Sequence, residues 1–278
     1  MTALAHNLAQ IEDRIAAACR RAGRPRTEVE LMAVSKTFPA EAITEAAALG
    51  LTLFGENRVQ EFTTKAPALV SLRQPTKMDG CPILSDAFRR ENAESVGDHG
   101  AQSSPIRVHL IGHLQSNKAA RAAELFDAID SVDSLRLAER LNEAAGKLGK
   151  PLPILIEVKL TPEETKAGLD PESPEASALL ERLPNLDNLE PQGLMTIAPW
   201  GVAEDITRTC FRTLRAYRDR WAALHSRLNL PVLSMGMSGD FELAIAEGAT
   251  RVRIGTALFG KRPPMAAQLK AYPEEPGE

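Results

Sequence analysis

Lys36 closes a compact apolar run, Glu30–Ser35 (ELMAVS). Lysine is costly to bury, so one at the end of such a run needs a reason. If the amine is desolvated its pKa falls, and the neutral form can attack an aldehyde to give a Schiff base. The alternative is a snorkelling stem whose ammonium reaches solvent or an ion pair. A second signal lies near the C-terminus. Ser234-Met235-Gly236-Met237-Ser238-Gly239-Asp240 and Gly255-Thr256 each follow a short apolar run and lead into a helical pattern. Such turns offer backbone N–H groups and hydroxyls to a phosphate. They are also ordinary places for N-caps and tight-turn glycines. Taken with Lys36, the two turns point to a phosphate-bearing aldehyde cofactor gripped at both ends.

Other residues carry weaker signals. Arg251 and Arg253 share one face of a strand, and an inward arginine must find a carboxylate or a ligand heteroatom. Pairing with Glu56 or Glu157 would satisfy Arg253 as well as a ligand would. Asn57 ends Phe54-Gly55-Glu56-Asn57 and could bond a ligand hydroxyl or cap the next helix. His109 and His113 stand four apart, but the first sits in an apolar strand pattern and no carboxylate motif accompanies them, so no metal site is expected. Gln115, Asn117 and Lys118 open the following helix and could line the mouth of a site or solvate it.

The elements that must position these residues alternate strand with helix. Leu4, Leu8, Ile11, Ile15 and Cys19 recur at helical spacing until Gly23 and Pro25. Strands are expected at Glu30–Ser35, Leu51–Gly55, Ile106–Ile111, Ala128–Val132, Ile154–Leu160, Gly193–Ile197, Val232–Met235 and Arg251–Ile254. Helical patterns lie between them, among them Ala40–Leu49, a stretch from Arg58, Ser134–Lys147 and Glu204–Leu228. Eight strands alternating with helices predict an α/β fold, a single (β/α)8 barrel with an N-terminal helix. An open doubly wound sheet is second, and would more often show a glycine-rich fingerprint after its first strand. In a barrel, strand C-termini carry the active site, and the loops after strands seven and eight commonly hold phosphate. Lys36 and the two turns occupy those places.

Residues 1–264 are expected to form the barrel, with an inserted surface loop at 63–105 and a short helix near Ala87–Glu94; 265–278 reads as a frayed tail. The chain has 278 residues, 44% apolar and 25% charged, which is ordinary for a soluble globular protein. A formal charge of −4 argues against broad binding to nucleic acid or anionic membrane. No apolar run reaches membrane-spanning length, and no signal-type stretch opens the chain. Cys19, Cys81 and Cys210 are few, odd in number and far apart, as expected of reduced thiols in a cytoplasmic protein.

Six segments together resemble the pyridoxal phosphate homeostasis proteins: Ala33-Val34-Ser35-Lys36-Thr37; Phe54-Gly55-Glu56-Asn57 with Val59-Gln60-Glu61; Ile111-Gly112-His113-Leu114-Gln115-Ser116-Asn117-Lys118; Gly193-Leu194-Met195; Leu233-Ser234-Met235-Gly236-Met237-Ser238; and Val252-Arg253-Ile254-Gly255-Thr256. The resemblance runs in order from about Leu31 to Arg262. It implies the barrel of the fold type III pyridoxal phosphate enzymes, that of the alanine racemase N-terminal domain. It implies that Lys36 forms the internal aldimine, that Ser238, Gly239, Gly255 and Thr256 surround the phosphate with Ser234 and Met235 at the start of the same turn, that Arg253 lies near the pyridine nitrogen, Asn57 near the ring hydroxyl, and Met195 beside the ring. Two departures stand out: the 63–105 segment is longer than the family's, and Lys159-Leu160-Thr161-Pro162 replaces an Asn-rich loop start, although Lys166-Ala167-Gly168 resembles its end.

Binding this cofactor does not decide function. The resemblance implies a non-catalytic carrier that holds pyridoxal 5'-phosphate, limits free aldehyde and passes it on in transient contacts with apo-enzymes. An amino-acid racemase is the alternative. The related racemases use a second base from a partner subunit and a C-terminal β-domain, for which this chain leaves no room after Ile254; a monomer is therefore expected. An arginine at the pyridine nitrogen would also weaken the ring as an electron sink. A Schiff-base aldolase acting on a sugar phosphate is the third reading, and does not account for the whole motif series.

Overall fold

Eight parallel strands close into a barrel in chain order, each paired with the next and the last with the first. The computed structural model describes residues 1–73, 105–161 and 167–261. The expected helix at Ala87–Glu94, most of the 63–105 segment and the 265–278 tail lie outside the described residues. The strands are β1 (Glu30–Val34), β2 (Leu53–Glu56), β3 (Arg107–Leu110), β4 (Ala128–Val132), β5 (Leu152–Glu157), β6 (Leu189–Met195), β7 (Val232–Ser234) and β8 (Arg251–Ile254). Around them run α1 (Ala3–Arg21), α2 (Ala40–Ala48), α3 (Val59–Lys65), α4 (Ala119–Leu125), α5 (Leu135–Leu148), α6 (Pro174–Arg182), α7 (Glu204–Leu224), α8 (Phe241–Ala246) and α9 (Thr256–Phe259).

Local chemistry sets the helix ends. The Ser134 hydroxyl accepts from the Leu137 amide at 3.3 Å to start α5, and Gly149 ends it in the left-handed region at φ 63°. Ser173 accepts from the Ala176 amide at 3.2 Å, and Pro174 opens α6. Alternation then sorts the strand residues. Ala33, Phe54, Val108, Leu110, Leu194, Leu233, Val252 and Ile254 join the large apolar layer between sheet and helices. Their neighbours turn into the barrel, where Met32, Val34, Leu53 and Ile111 form one small cluster and Leu155, Met195 and Val232 another.

The rest of the interior is polar. Arg251 bonds Glu30 Oε2 through Nε at 2.9 Å and Asp130 Oδ2 at 3.1 Å, and Asp130 meets His109 Nδ1 at 3.0 Å. Arg251, Asp130 and His109 are buried and find polar partners, as burial requires, while Glu30 stays partly exposed. Burial alone would raise the Asp130 carboxyl; the nearby His109 and Arg251 outweigh it and hold the group below its ordinary value. Glu30 and Arg251 open β1 and β8, at the opposite strand ends from Lys36, and Asp130 lies midway along β4.

Several boundaries differ from the sequence reading. β6 begins at Leu189 rather than Gly193, because Glu190 and Pro191 interrupt its apolar run; the β5–β6 register shifts at Ile154/Leu155, opposite that proline. β5 is Leu152–Glu157, and beyond it only Val158 makes an isolated bridge, to Leu169. The chain past Thr63 is not yet a loop. Thr63–Lys65 finish α3, and Ala66–Leu72 form a 3-10 segment that buries Leu69.

Candidate functional site at the barrel mouth

Lys36 lies two residues beyond the end of β1, on the inward alternation of Met32 and Val34. Its Nζ is 3.4 Å from Asn57 Oδ1. Asn57 is not the helix cap: Arg58 holds the N-cap position of α3, without a side-chain capping bond. The adjoining cavity of about 240 Å3 is lined in part by Asn57, Ile111, His113, Glu157, Lys159 and Thr161. These residues lie at or just beyond the C-terminal ends of β2, β3 and β5.

Glu157 is the cavity's hidden group. It is 4% exposed, and its Oε2 has no hydrogen-bond partner among the described residues. Burial and the nearby Asp133 push its carboxyl up to about 7, against the pull of Arg253. The Thr161 hydroxyl, also buried, is likewise unpartnered. Sequence reasoning raised Glu157 only as a partner for Arg253 and missed Thr161. The signal for Glu157 was an acid inside an apolar run.

Arg253 is buried and forks onto backbone. One terminal nitrogen donates to the Ser234 carbonyl at 2.7 Å and the Ser234 hydroxyl at 2.8 Å, and the other donates to the Thr196 carbonyl at 2.7 Å. It therefore ties β6, β7 and β8 together. Neither Glu56 nor Glu157 is its hydrogen-bond partner; Glu56 lies on the outer side of the sheet with Lys65. Burial lowers the Arg253 pKa, while the carboxylates of Asp130, Glu157 and Asp240 oppose that shift. Met195 is buried inside the barrel beside Leu155 and Val232.

The two C-terminal turns converge. The Ser238 hydroxyl accepts from the Ala257 amide at 3.4 Å, which links the β7–α8 turn to the first turn of α9. Gly236 sits at φ 91°, where a Cβ would come within 2.6 Å of Ala244 Cβ and 2.9 Å of Phe241 Cα. Only glycine lets that turn fold so tightly onto α8. The Asp240 carboxylate closes it by accepting from the Met237 amide at 2.5 Å. Gly239 and Thr256 are exposed and Ser238 is half-buried, so this surface is open to a ligand. Met235 is different: its side chain belongs to the packing layer between sheet and helices.

The remaining candidates scatter. His109 is inside the barrel with Asp130; His113 reaches the mouth and meets Asp133 Oδ2 at 3.2 Å. Among the described residues no cluster of His, Cys, Asp and Glu could hold a metal. Asn117 lines a separate surface groove with Arg136 and Arg140. Gln115 is exposed beside it.

The family profile described as "Alanine racemase, N-terminal domain" matches residues 6–263. A protein of Aquifex aeolicus named pyridoxal phosphate homeostasis protein is 39% identical over 255 residues, 92% of this chain and 96% of its own. The protein of that name from Escherichia coli is 39% identical over 264 residues, 94% and 98% of the two chains. Among solved structures, PipY of Synechococcus elongatus with PLP bound is 39% identical, with a TM-score of 0.72 over 92% of this chain and all (100%) of that one. Alanine racemase from Clostridium difficile shares the fold alone, at 16% identity and a TM-score of 0.62 over 57% of its length. The chain belongs to the alanine racemase N-terminal domain family and, within it, to the pyridoxal phosphate homeostasis proteins.

Proposed function

We propose that this chain binds pyridoxal 5'-phosphate through Lys36 and acts as a carrier of it. The observation that carries the reading is that one end of the barrel holds both halves of the required chemistry: the Lys36 amine beside Asn57 at 3.4 Å, and the two converging turns joined at Ser238 and Ala257. The residues fit such a ligand. Gly236 keeps the phosphate turn tight, Ser238 and Thr256 supply hydroxyls and Gly239 and Gly255 leave backbone open, while Glu157 Oε2 and Thr161 Oγ1 are polar atoms awaiting a partner in the cavity.

When bound, the cofactor supplies an aldehyde that an amine captures covalently. Lys36 provides that amine, and Asn57 fixes where it points. Ser234, Gly239, Gly255 and Thr256 flank the phosphate side with Ser238; Met235 contributes backbone only. Met195 gives the ring an apolar neighbour. Arg253 has its terminal nitrogens engaged by carbonyl oxygens and keeps a positive charge in the interior. A fixed cation near the ring disfavours a protonated pyridine nitrogen, and with it the electron sink that racemisation requires. That supports holding the cofactor over turning it over. A monomer in the cytoplasm, delivering cofactor in transient contacts with apo-enzymes, completes the reading.

The test is an absorbance spectrum of purified protein before and after borohydride, with peptide mapping. Protein carrying the cofactor is yellow, and reduction fixes the label on the Lys36 peptide. A reducible covalent adduct that persists in Lys36→Ala refutes the anchor. Loss of optical rotation in L-alanine or L-serine incubated with rigorously purified holo-protein refutes the carrier role.

A further inference from the structure

Lys36 lies between two peptide groups, and one buried ion cluster on the outer side of the sheet holds both. The Ser35 carbonyl, just before Lys36, accepts from Lys65 Nζ at 3.2 Å. The Thr37 amide, just after it, donates to Glu61 Oε1 at 2.5 Å. Lys65 Nζ also donates to Glu61 Oε1 at 2.6 Å and Glu56 Oε1 at 2.9 Å, and the Ser35 hydroxyl donates to Glu56 Oε1 at 2.7 Å. Lys65 and Glu61 are 2% and 6% exposed and stand one turn apart on α3.

Thr37 shows what the cluster works against. Its φ is 69°, the one positive value at a non-glycine position among the described residues. A β-branched residue held there is strained and persists only where its surroundings over-determine it. A buried ion cluster is also poor value as packing alone, since well-fitted apolar side chains would secure α3 at least as well. Here its polar atoms fall on the peptide groups either side of the Lys36 Cα. That placement sets the direction in which the lysine stem leaves the backbone. Glu56 and Ser35 face outward, while Lys36 and Asn57 face the mouth.

We propose that Glu61 and Lys65 are positioning residues that clamp the backbone on both sides of Lys36 and so aim its amine into the barrel mouth. Both side chains lie on the outer side of the sheet rather than in the mouth. The proposal rests on Lys36 being the covalent anchor: the segment around Lys36 supplies the strained turn, and Glu61 and Lys65 hold it.

The experiment uses the full chain, freed of ligand, as wild type, Glu61→Ala, Glu61→Gln, Thr37→Gly/Glu61→Ala and the charge-free pair Glu61→Gln/Lys65→Met. Two quantities are read: the rate at which added pyridoxal 5'-phosphate becomes borohydride-fixed on the Lys36 peptide, and the affinity for pyridoxamine 5'-phosphate, which carries the same ring and phosphate without the aldehyde. Glu61→Ala is expected to slow capture about ten- to a hundred-fold, the scale of a misaimed reacting group, with pyridoxamine phosphate affinity at the wild-type value. Glu61→Gln keeps an acceptor for the Thr37 amide and recovers most of the rate. Thr37→Gly, which takes positive φ without strain, recovers part of it in the Glu61→Ala background. If Glu61→Ala does not fold, the charge-free pair decides: it is expected to slow capture through loss of the Ser35 carbonyl's donor. A wild-type capture rate in Glu61→Ala or in the charge-free pair overturns the proposal. So do parallel losses for both ligands with no recovery by Thr37→Gly, which would mark a merely structural cluster. Failure of the underlying reading is distinct: the wild type itself would then fix no label on Lys36, and the positioning role would fall with it.

Discussion

Gly112 packs directly onto Asn57: a Cβ on Gly112 would lie 2.1 Å from the Asn57 carbonyl oxygen and 2.8 Å from its side-chain Cγ. The ends of β2 and β3 are thereby pressed together, and the Gly112 carbonyl is held by the Ser131 hydroxyl at 2.7 Å. Since Asn57 Oδ1 is the group beside Lys36 Nζ, the glycine fixes the site from behind.

Gly112→Ala must therefore push backbone against backbone. We expect a loss of about 1–3 kcal/mol in urea unfolding, the usual cost of overpacking, together with slower capture of pyridoxal 5'-phosphate. Unchanged stability and capture would show that β3 yields without disturbing Asn57.

Much of this architecture was legible in the sequence, and the parts that were not share a cause. β1 and β7 read to within one residue because their apolar runs are short and unbroken, and β8 read at its full extent because Val252 and Ile254 stand directly before the Gly255-Thr256 turn. β6 was read as starting four residues late and ending two residues too far. Its start was missed because Glu190 and Pro191 look like breakers, whereas a register shift in the β5–β6 ladder accommodates the proline. Lys36, Asn57 and the Ser238 and Gly255 turns stood out in the sequence as candidates because each comes soon after a strand. The Arg251–Asp130–His109 group was not, since its members are separated by up to 142 residues and no local pattern joins them. Glu61 and Lys65 carried an i,i+4 signal on a helix, but that spacing ordinarily marks a solvated ion pair; burial against β1 is a tertiary fact.

Arg253→Lys keeps the charge and loses the fork. A lysine ammonium has a different donor geometry and cannot reproduce the guanidinium's bonds to the Ser234 carbonyl, the Ser234 hydroxyl and the Thr196 carbonyl. Buried acceptors left short of donors cost about 1–3 kcal/mol. Denaturant midpoints should fall accordingly, and a midpoint equal to wild type would mean that the three-strand tie contributes little.

Glu157 makes stability depend on pH in a defined direction. Its folded-state pKa is raised from 4.5 to about 7, so the folded protein keeps a proton that the unfolded chain has released. The favourable contribution is complete below the unfolded value and is lost as pH rises through about 7. Glu157→Gln removes this titration. In ligand-free protein the variant should gain up to ~3 kcal/mol over wild type at alkaline pH, with the difference shrinking toward pH 4.5. Urea midpoints across this range are the measurement, and a constant offset between the two proteins would contradict it.

Asp130 should act in the opposite sense at acid pH. It lies within 3.0 Å of His109 Nδ1 and 3.1 Å of Arg251, and its carboxyl is held below the ordinary 3.8. The folded state thus favours the carboxylate more than the unfolded chain does. That stability is present above the unfolded value and is lost as pH falls through the folded one. Asp130→Asn leaves Arg251 with Glu30 as its remaining carboxylate partner of the two and removes the charge that faces His109. Breaking such a buried pair costs about 3–5 kcal/mol at neutral pH. The variant should also lose this site's part of the acid-dependent destabilisation below about pH 4. If its denaturation curve steepens below that pH as much as the wild type's, the acid sensitivity of the barrel comes from other carboxylates and the Asp130 cluster does not control it.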